Sequence, residues 1–258
     1  MFGFMLKKWF FNYWDNFFTF VILNMFFVFS VALAFGIPGW IASFSPVLSL
    51  IVMIGGILWL GAYTAAASLY INEIAQERSV EPKQFFRFLK ESWLLGIFYS
   101  IFWALIIFTF SFIVPFYGNM GNLWSVAALA FLFWTLVIFI LAVQWFFPIR
   151  AQLDRKLSKI LKKMFILFFD NAGFSIFLLI TSLSIFIVSG FTAFLLFGPG
   201  GFLLMQHVAL KLRLYKYDYF EEHPDAKRKH VPWKALVYED SQRIGKRTLK
   251  GMIFPWKE

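Results

Sequence analysis

Cysteine is absent from the 258 residues, so the chain can form no disulfide, thiolate nucleophile or cysteine-ligated metal site. Charge is also scarce: charged residues make up 15% of the chain, against about 25% in soluble domains. Of the three histidines, His207 alone lies in an apolar stretch. These shortages leave few groups for catalysis and indicate a surface that largely avoids water.

Acidic residues are the scarcer of the two charge types, 14 against 24 Lys and Arg, which gives a net charge of +10. In a soluble protein this excess would suggest nucleic-acid binding. Here the basic residues cluster beside apolar runs, a pattern typical of anionic lipid headgroups and membrane topology. We therefore expect a lipid bilayer, and no nucleic acid, as a partner.

Long apolar runs are what the sequence has in abundance, with 60% hydrophobic residues and 38 phenylalanines. Four runs approach or exceed the length that a ~30 Å hydrocarbon layer requires; they are 17–35, 46–70, 93–116 and 123–147. The 40 residues from Asn171 to Leu210 carry no charge and are long enough to fold back as two further spans. The turn between these is predicted at Gly198–Gly201 or, for better balanced spans, at Ser189–Gly190.

Small residues recur along the second span at helical spacing. They are Gly61, Ala62, Ala65, Ala66 and Ser68. Because small side chains let two helix backbones approach closely, this pattern predicts a packing face in the membrane. We interpret it as intramolecular, with a dimer seam as the alternative.

The distribution of charge predicts the orientation. The loops at 36–45, 117–122 and near 190–201 contain no charged residue, so every charge lies on the other side. By the positive-inside rule that side is the cytoplasm. The predicted fold is all-α, a polytopic membrane protein with six transmembrane helices, cytoplasmic amphipathic helices and both termini in the cytoplasm.

Amphipathic stretches flank the spans on the charged side. Residues 150–169 place apolar side chains on one helical face and five basic ones opposite, which predicts a helix along the membrane surface. A shorter amphipathic helix begins at Pro82, and residues 1–16 resemble an interfacial helix. Apolar residues on the stretch 150–169 and on the helix from Pro82 are candidates for docking; they are Phe85, Phe86, Leu157 and Leu161.

The sequence divides into a six-span membrane domain, 1–217, and a charged cytoplasmic tail, 218–258. The tail has nine Lys or Arg and seven Asp or Glu, yet Met252–Trp256 is an apolar cluster. We expect this cluster to anchor the tail through Phe254 and Trp256. Docking on protein and insertion into the lipid interface are both open at this point.

Chemistry-bearing motifs are missing: the sequence has no nucleotide-binding loop, zinc-protease motif or paired carboxylates. We expect no catalytic, cofactor-binding or metal-binding residues, and no enzyme. Four polar side chains inside apolar runs are candidates for contacts within the membrane; they are Asn24, Gln144, Gln206 and His207. His207 is interpreted as bonded to a neighbouring helix, with a proton relay or ligand contact as the alternative.

Several landmarks resemble the YesL family of bacterial integral membrane proteins, a family of unknown function. They are Phe11-Asn-Tyr13, Ile22-Leu-Asn24, Gly61-Ala-Tyr-Thr-Ala-Ala66, Phe85-Phe-Arg-Phe-Leu-Lys90, and Phe147-Pro148 followed by Arg-x-x-Leu-Asp. The resemblance covers roughly residues 11–217, and about 24 residues, Ile37–Leu60, depart from the pattern. It implies a bacterial cytoplasmic membrane and an association with carbohydrate uptake systems.

Two functions are consistent with these features. The first is a non-enzymatic accessory or scaffold protein that works with a membrane-protein partner, in the context of a transporter complex. The second is a permease for a neutral or polar small solute. The charge-free spans offer no carboxylate for ion coupling, which favours the first.

Overall fold

The computed structural model describes residues 1–226, 231–245 and 247. All regular structure in these ranges is helical, which confirms the all-α prediction. The twelve helices are α1 Phe2–Asp15, α2 Phe17–Ile41, α3 Pro46–Ala75, α4 Pro82–Phe108, α5 Val114–Gly118, α6 Leu123–Val143, α7 Phe146–Gln152, α8 Leu157–Asp170, α9 Ala172–Gly190, α10 Gly198–Glu222, α11 Trp233–Leu236 and α12 Tyr238–Ile244. A π-helical turn at Thr109–Ile113 joins α4 to α5.

Within the described ranges, five helical stretches are long and apolar enough to cross a membrane. They are Phe17–Ile41, Pro46–Ala75, Pro82–Gly118, Leu123–Gln152 and Ala172–Gly190. A polytopic membrane protein is therefore confirmed. The sixth predicted span falls on α10, where the charge-free part ends at Leu210 after about 20 Å of helix. The number of six spans and the cytoplasmic termini stay predictions.

The predicted loop at 36–45 is shorter than expected, because α2 continues through Gly36, Pro38 and Gly39 to Ile41. An apolar environment favours helix, since every backbone polar group must be bonded there. The Pro38 carbonyl accepts hydrogen bonds from the Ala42 amide at 2.9 Å and from Ser49 Oγ at 2.7 Å. The chain then turns into α3, where the Ser45 side chain caps the first turn.

The small residues of α3 are buried within the chain, and Gly61 packs closely against α4, which confirms an intramolecular face. A Cβ atom added at Gly61 would lie 2.2 Å from the Gly96 carbonyl oxygen, and one added at Gly96 would lie 2.3 Å from that of Gly61. Ser100 Oγ donates to the Ile57 carbonyl across the same contact at 2.9 Å. The two backbones therefore touch, as small residues in membrane helices allow.

The predicted amphipathic segments have different boundaries in the structure. The segment from Pro82 is continuous with the third span in α4. The helix predicted over 150–169 is broken between Gln152 and Leu157, where Asp154 instead pairs with Lys159 at 3.5 Å and Lys163 at 2.6 Å. Beyond the break, α8 buries Ile160, Met164, Leu167 and Phe168.

Both predicted breakers act in the α9–α10 hairpin: α9 ends at Gly190 and α10 begins at Gly198. The seven residues between them turn beside Asn24, whose amide donates to the Leu195 carbonyl at 3.0 Å. Asn24 is only the eighth residue of α2, so the hairpin turns well short of the end of α2 at Ile41. Tyr217 Oη, near the end of α10, donates to Asp170 beside the start of α9 at 2.6 Å.

The helix α1 differs from the interfacial helix predicted for residues 1–16, because much of it is buried against the protein. It packs against α10 and buries Met5, Lys8, Phe11, Asn12 and Tyr13. Its contact with α12 brings the two described ends of the chain together. Because α1 and α12 are in contact, both lie at the same end of the bundle.

Candidate functional site

Polar side chains collect where α3, α7 and α10 meet and continue towards α1 and α12. Three of the four predicted polar contacts, Asn24, Gln206 and His207, lie on or against α10, whereas Gln144 lies at the end of α6. All four side chains are buried. The site has three parts: a histidine cluster, the start of α10 and an ion cluster.

The histidine cluster consists of His207, Ser68 and Gln152. Ser68 Oγ lies 2.8 Å from His207 Nε2, and His207 is fully buried. The Gln152 side-chain nitrogen lies 3.1 Å from the His207 carbonyl oxygen and 3.4 Å from Nδ1. Since a carbonyl oxygen can only accept, the Gln152 atom that faces it must be the amide nitrogen.

The contact with Gln152 favours one tautomer of His207. An amide nitrogen can only donate, so Nδ1 accepts from Gln152 and the ring proton is on Nε2. His207 then donates to Ser68 Oγ and offers that hydroxyl no lone pair. A nucleophilic serine needs the opposite arrangement, in which the imidazole accepts the hydroxyl proton. In this state the cluster joins α3, α7 and α10 without activating Ser68.

The start of α10 is bonded by side chains from α1 and α2. Asn24 Oδ1 accepts from the Gly200 amide at 2.8 Å, and Tyr13 Oη accepts from the Phe197 amide at 2.9 Å. The Trp9 indole donates to the Gly201 carbonyl at 2.8 Å. The first two bonds satisfy two of the amides that a helix start leaves free.

Glycine is required at this position for space. The first residue of α10, Gly198, has φ +31°, and a Cβ atom there would lie 2.6 Å from the Asn24 side chain. A cavity of about 10 Å³ lies beside it, lined in part by Asn24, Tyr63 and Thr64. That volume is about the room of one water molecule.

Gln144 is bonded separately from the other polar residues. Its side-chain amide donates to the Leu141 carbonyl at 2.8 Å and to the Ser175 carbonyl at 2.9 Å. The neighbouring Trp145 indole donates to Ser175 Oγ at 3.0 Å. These bonds join the end of α6 to α9 and match the cross-helix bonding expected of buried polar groups.

The ion cluster joins four helices or their ends. Lys8 of α1 is fully buried and pairs with Glu77, which follows α3, and with Asp240 of α12 at 3.2 Å. Lys211 of α10 approaches Asp240 at 3.4 Å, and Arg243 of α12 approaches Glu77 at 3.1 Å. Three cations thus share two carboxylates, and Asp240 separates two buried ammonium groups.

The balance of forces on Glu77 shows that the cations dominate its surroundings. Burial acts to raise the pKa of Glu77, but the hydrogen bond and charge of Lys8, with help from Arg243 and Lys211, hold the pKa below its ordinary value. Glu77 is therefore held as a carboxylate. Tyr215 Oη adds a hydrogen bond to Asp240 at 3.2 Å.

Further contacts fasten the C-terminal segment, Trp233–Arg247, to α1 and α10. The Arg213 guanidinium lies 3.6 Å from the Phe174 ring centre and 5.7 Å from that of Trp233. Arg247 pairs with Asp15 at 2.8 Å, and Lys7 donates to the Gly245 carbonyl at 3.2 Å. The segment is thus held by charge and cation–π contacts along its described length.

The predicted docking residues occupy different surroundings. Phe86 is 66% exposed, whereas Phe85 packs against Tyr63 and Tyr70 with ring centres 5.4 and 6.4 Å apart. Leu157 and Leu161 are half-buried against the core. Phe254 and Trp256 lie outside the described residues.

Sequence reasoning did not find the ion cluster. No local pattern marks these pairs, because Lys8 and Asp240 are more than 200 residues apart. A detectable signal that was missed is the spacing of Ser175, Ser182 and Ser189, seven residues apart and all buried on one face of α9. The described residues contain no group of three or more His, Asp or Glu that could hold a metal ion.

Comparison of the chain with protein-family models, curated proteins and solved structures finds no match. The resemblance to the YesL family stays a prediction.

Proposed function

We propose that this protein is a non-enzymatic accessory or scaffold subunit of a membrane assembly, and that the C-terminal segment Trp233–Arg247 is its docking element. The observation that carries the proposal is the fastening of this segment by an ion cluster in which Lys8, Lys211 and Asp240 are buried. A tail that served only as a solubilising extension would have no need of a carboxylate with 3% exposure between two lysines.

The fastened segment presents a fixed outer face. Tyr238 is 60% exposed on α12, two residues from Asp240, and Lys234 and Ala235 are exposed on α11. A rigid surface binds with a smaller loss of conformational freedom than a mobile tail does. An exposed tyrosine on such a surface is typical of the anchors found in protein interfaces.

The kind of partner in this assembly is inferred from the YesL resemblance alone. That resemblance favours a partner in a carbohydrate uptake system of the bacterial cytoplasmic membrane. The polar contacts of the histidine cluster then serve to hold α3, α7 and α10 together beneath the docking element.

The test is photocrosslinking in native membranes from a benzoylphenylalanine placed at Tyr238. We expect one discrete adduct with a membrane protein, together with a complex of fixed stoichiometry on native gels. The matched control places the probe at Phe131, which is 72% exposed on the apolar helix α6. It should give no adduct. Asp240→Ala, which releases the segment, should abolish the adduct from position 238.

The alternative function, a permease for a neutral or polar solute, predicts another outcome. The protein would then run as a monomer, give no adduct from position 238 and move a labelled solute into vesicles after purification. That combination would overturn the scaffold proposal.

A further inference from the structure

A second surface, away from the C-terminal segment, combines exposed cations with exposed aromatic rings at the start of α4. Before its apolar part begins at Trp93, α4 carries Lys83, Arg87 and Lys90, all exposed. Within the described ranges no acid pairs with any of the three. Lys83 and Arg87 are four residues apart and share a helical face, on which Glu91 follows one turn later.

Glu91 brings a second group of cations to this face. Its carboxylate lies 3.0 Å from Arg150 Nη2 and 3.7 Å from Arg155 Nη1. Arg150 is buried and Arg155 is 81% exposed, so the contact with Arg150 fixes the geometry whereas that with Arg155 is loose. Lys156, also exposed, follows directly. The break between α7 and α8 therefore lies against the basic start of α4.

The aromatic residues of this surface indicate its position relative to the membrane. Phe86 is 66% exposed and Trp93 is 51% exposed. They are seven residues apart and so lie on one face of α4, with Trp93 at the point where the apolar run begins. Tryptophan at the end of a membrane span is typical of the headgroup level.

From these features we propose that the surface formed by Arg87, Lys90, Arg155 and Lys156 binds the phosphate of an anionic phospholipid headgroup. Of the nearby carboxylates, Glu91 pairs with Arg150, and Asp154 pairs with Lys159 and Lys163. The surface therefore keeps an excess of positive charge that a lipid phosphate complements. Arg155 has a planar guanidinium and a weak pairing, so it is free to bind phosphate through two nitrogens. The acyl chains then lie along Phe86 and Trp93.

The test uses full-length protein reconstituted in phosphatidylcholine with spin-labelled lipids. Electron paramagnetic resonance should show more immobilised phosphatidylglycerol than phosphatidylcholine at equal label. In Arg87→Gln/Arg155→Gln this preference should fall, by roughly fivefold for each cation at low salt. Arg155→Lys should fall between wild type and Arg155→Gln, because it keeps the charge and loses the bidentate geometry.

The control pair is Arg78→Gln/Lys234→Gln, which removes the same charge from exposed positions elsewhere. Its lipid preference should equal that of wild type. Equal binding of both lipids by wild type, or equal loss in the two double variants, would overturn the site. Displacement of the labelled lipid by millimolar inorganic phosphate would also overturn it. The same holds if a photocrosslinker at position 87 captures an acidic protein in place of lipid.

Discussion

The outer part of α4 and the end of the bundle formed by α1, α10 and α12 differ in what surrounds their side chains. In the apolar stretch of α4 and α5 only 6% of residues are buried inside the protein. In α10, by contrast, every residue from Gly200 to Arg213 except Phe202 is buried. The outer part depends on lipid to surround it, whereas the polar end depends on specific partners for its buried charges.

This difference determines which substitutions each region tolerates. A lipid-facing apolar side chain can be exchanged for another of similar size, since lipid tails adapt to its shape. A buried charge tolerates no such exchange, because its partner is left without compensation. Within the lipid-exposed region, positions where two helix backbones touch do not tolerate a larger side chain. The neighbouring backbone cannot move aside as lipid tails can.

The largest effect is expected at the contact of α3 with α4. Gly61→Ala would place Cβ 2.2 Å from the Gly96 carbonyl oxygen and force the two backbones apart. We expect a loss of about 3 kcal/mol or more, at the upper end for overpacking. Thermal unfolding in detergent measures it. Gly36→Ala, where a Cβ would meet nothing within 4 Å, should match wild type.

The next effect is expected at Asp240. Asp240→Ala leaves Lys211 buried without its carboxylate, whereas Lys8 keeps Glu77, so the cost should be about 3 kcal/mol, the lower end for a broken buried pair. Hydrogen exchange should show the loss first as reduced protection of 233–245. Glu239→Gln, on the exposed neighbour, should behave like wild type; if both variants lose protection equally, the ion cluster does not hold the segment.

A smaller effect is expected in the histidine cluster. His207→Leu removes the donor to Ser68 and the acceptor of Gln152, and unpaired buried polar groups cost about 1–3 kcal/mol. The melting temperature should fall, and adding Ser68→Ala should return part of the loss. Ser184→Ala on the exposed face of α9 is the control. An unchanged melting temperature in His207→Leu would contradict the bonding described above.

The smallest effect is the pH dependence contributed by Glu77. Because its pKa in the folded protein is below the ordinary 4.5, its contribution to stability is fully present above that pH. The contribution is lost as the pH falls through the lower, folded-state pKa. The melting temperatures of wild type and Glu77→Gln should therefore differ at pH 7 and converge in acid. A gap that persists in acid would show that packing, and not charge, accounts for it.

Much of the membrane region was predictable because its signals are local. Charge-free runs fixed the positions of the long helices, and the small residues around Gly61 predicted the face that meets α4. Boundaries were less accurate: the glycines and proline near residue 38 predicted a loop, yet the helix continues. In lipid, the need to bond every backbone group outweighs the turn preference of these residues.

The candidate site was predictable only as isolated residues. Asn24 and His207 stand out as polar groups in apolar runs, but nothing in the sequence names Ser68, Gln152 or the Gly200 amide as their partners. Nor does the tail, with its apolar cluster at Met252–Trp256, point to Asp240 as a residue that fastens it. Such partners are many residues apart, so periodicity carries no information about them.

The sequence by itself determined that this is an all-helical membrane protein. Its apolar composition indicates lipid as the surrounding solvent, and the length of its apolar runs matches helices that cross a bilayer. The tertiary structure decided where its few charges go. Lys8, Lys211 and Asp240 read singly as surface charges, and each would be costly to bury alone. They are buried together because the fold places α1 against α10 and α12, where each charge compensates another.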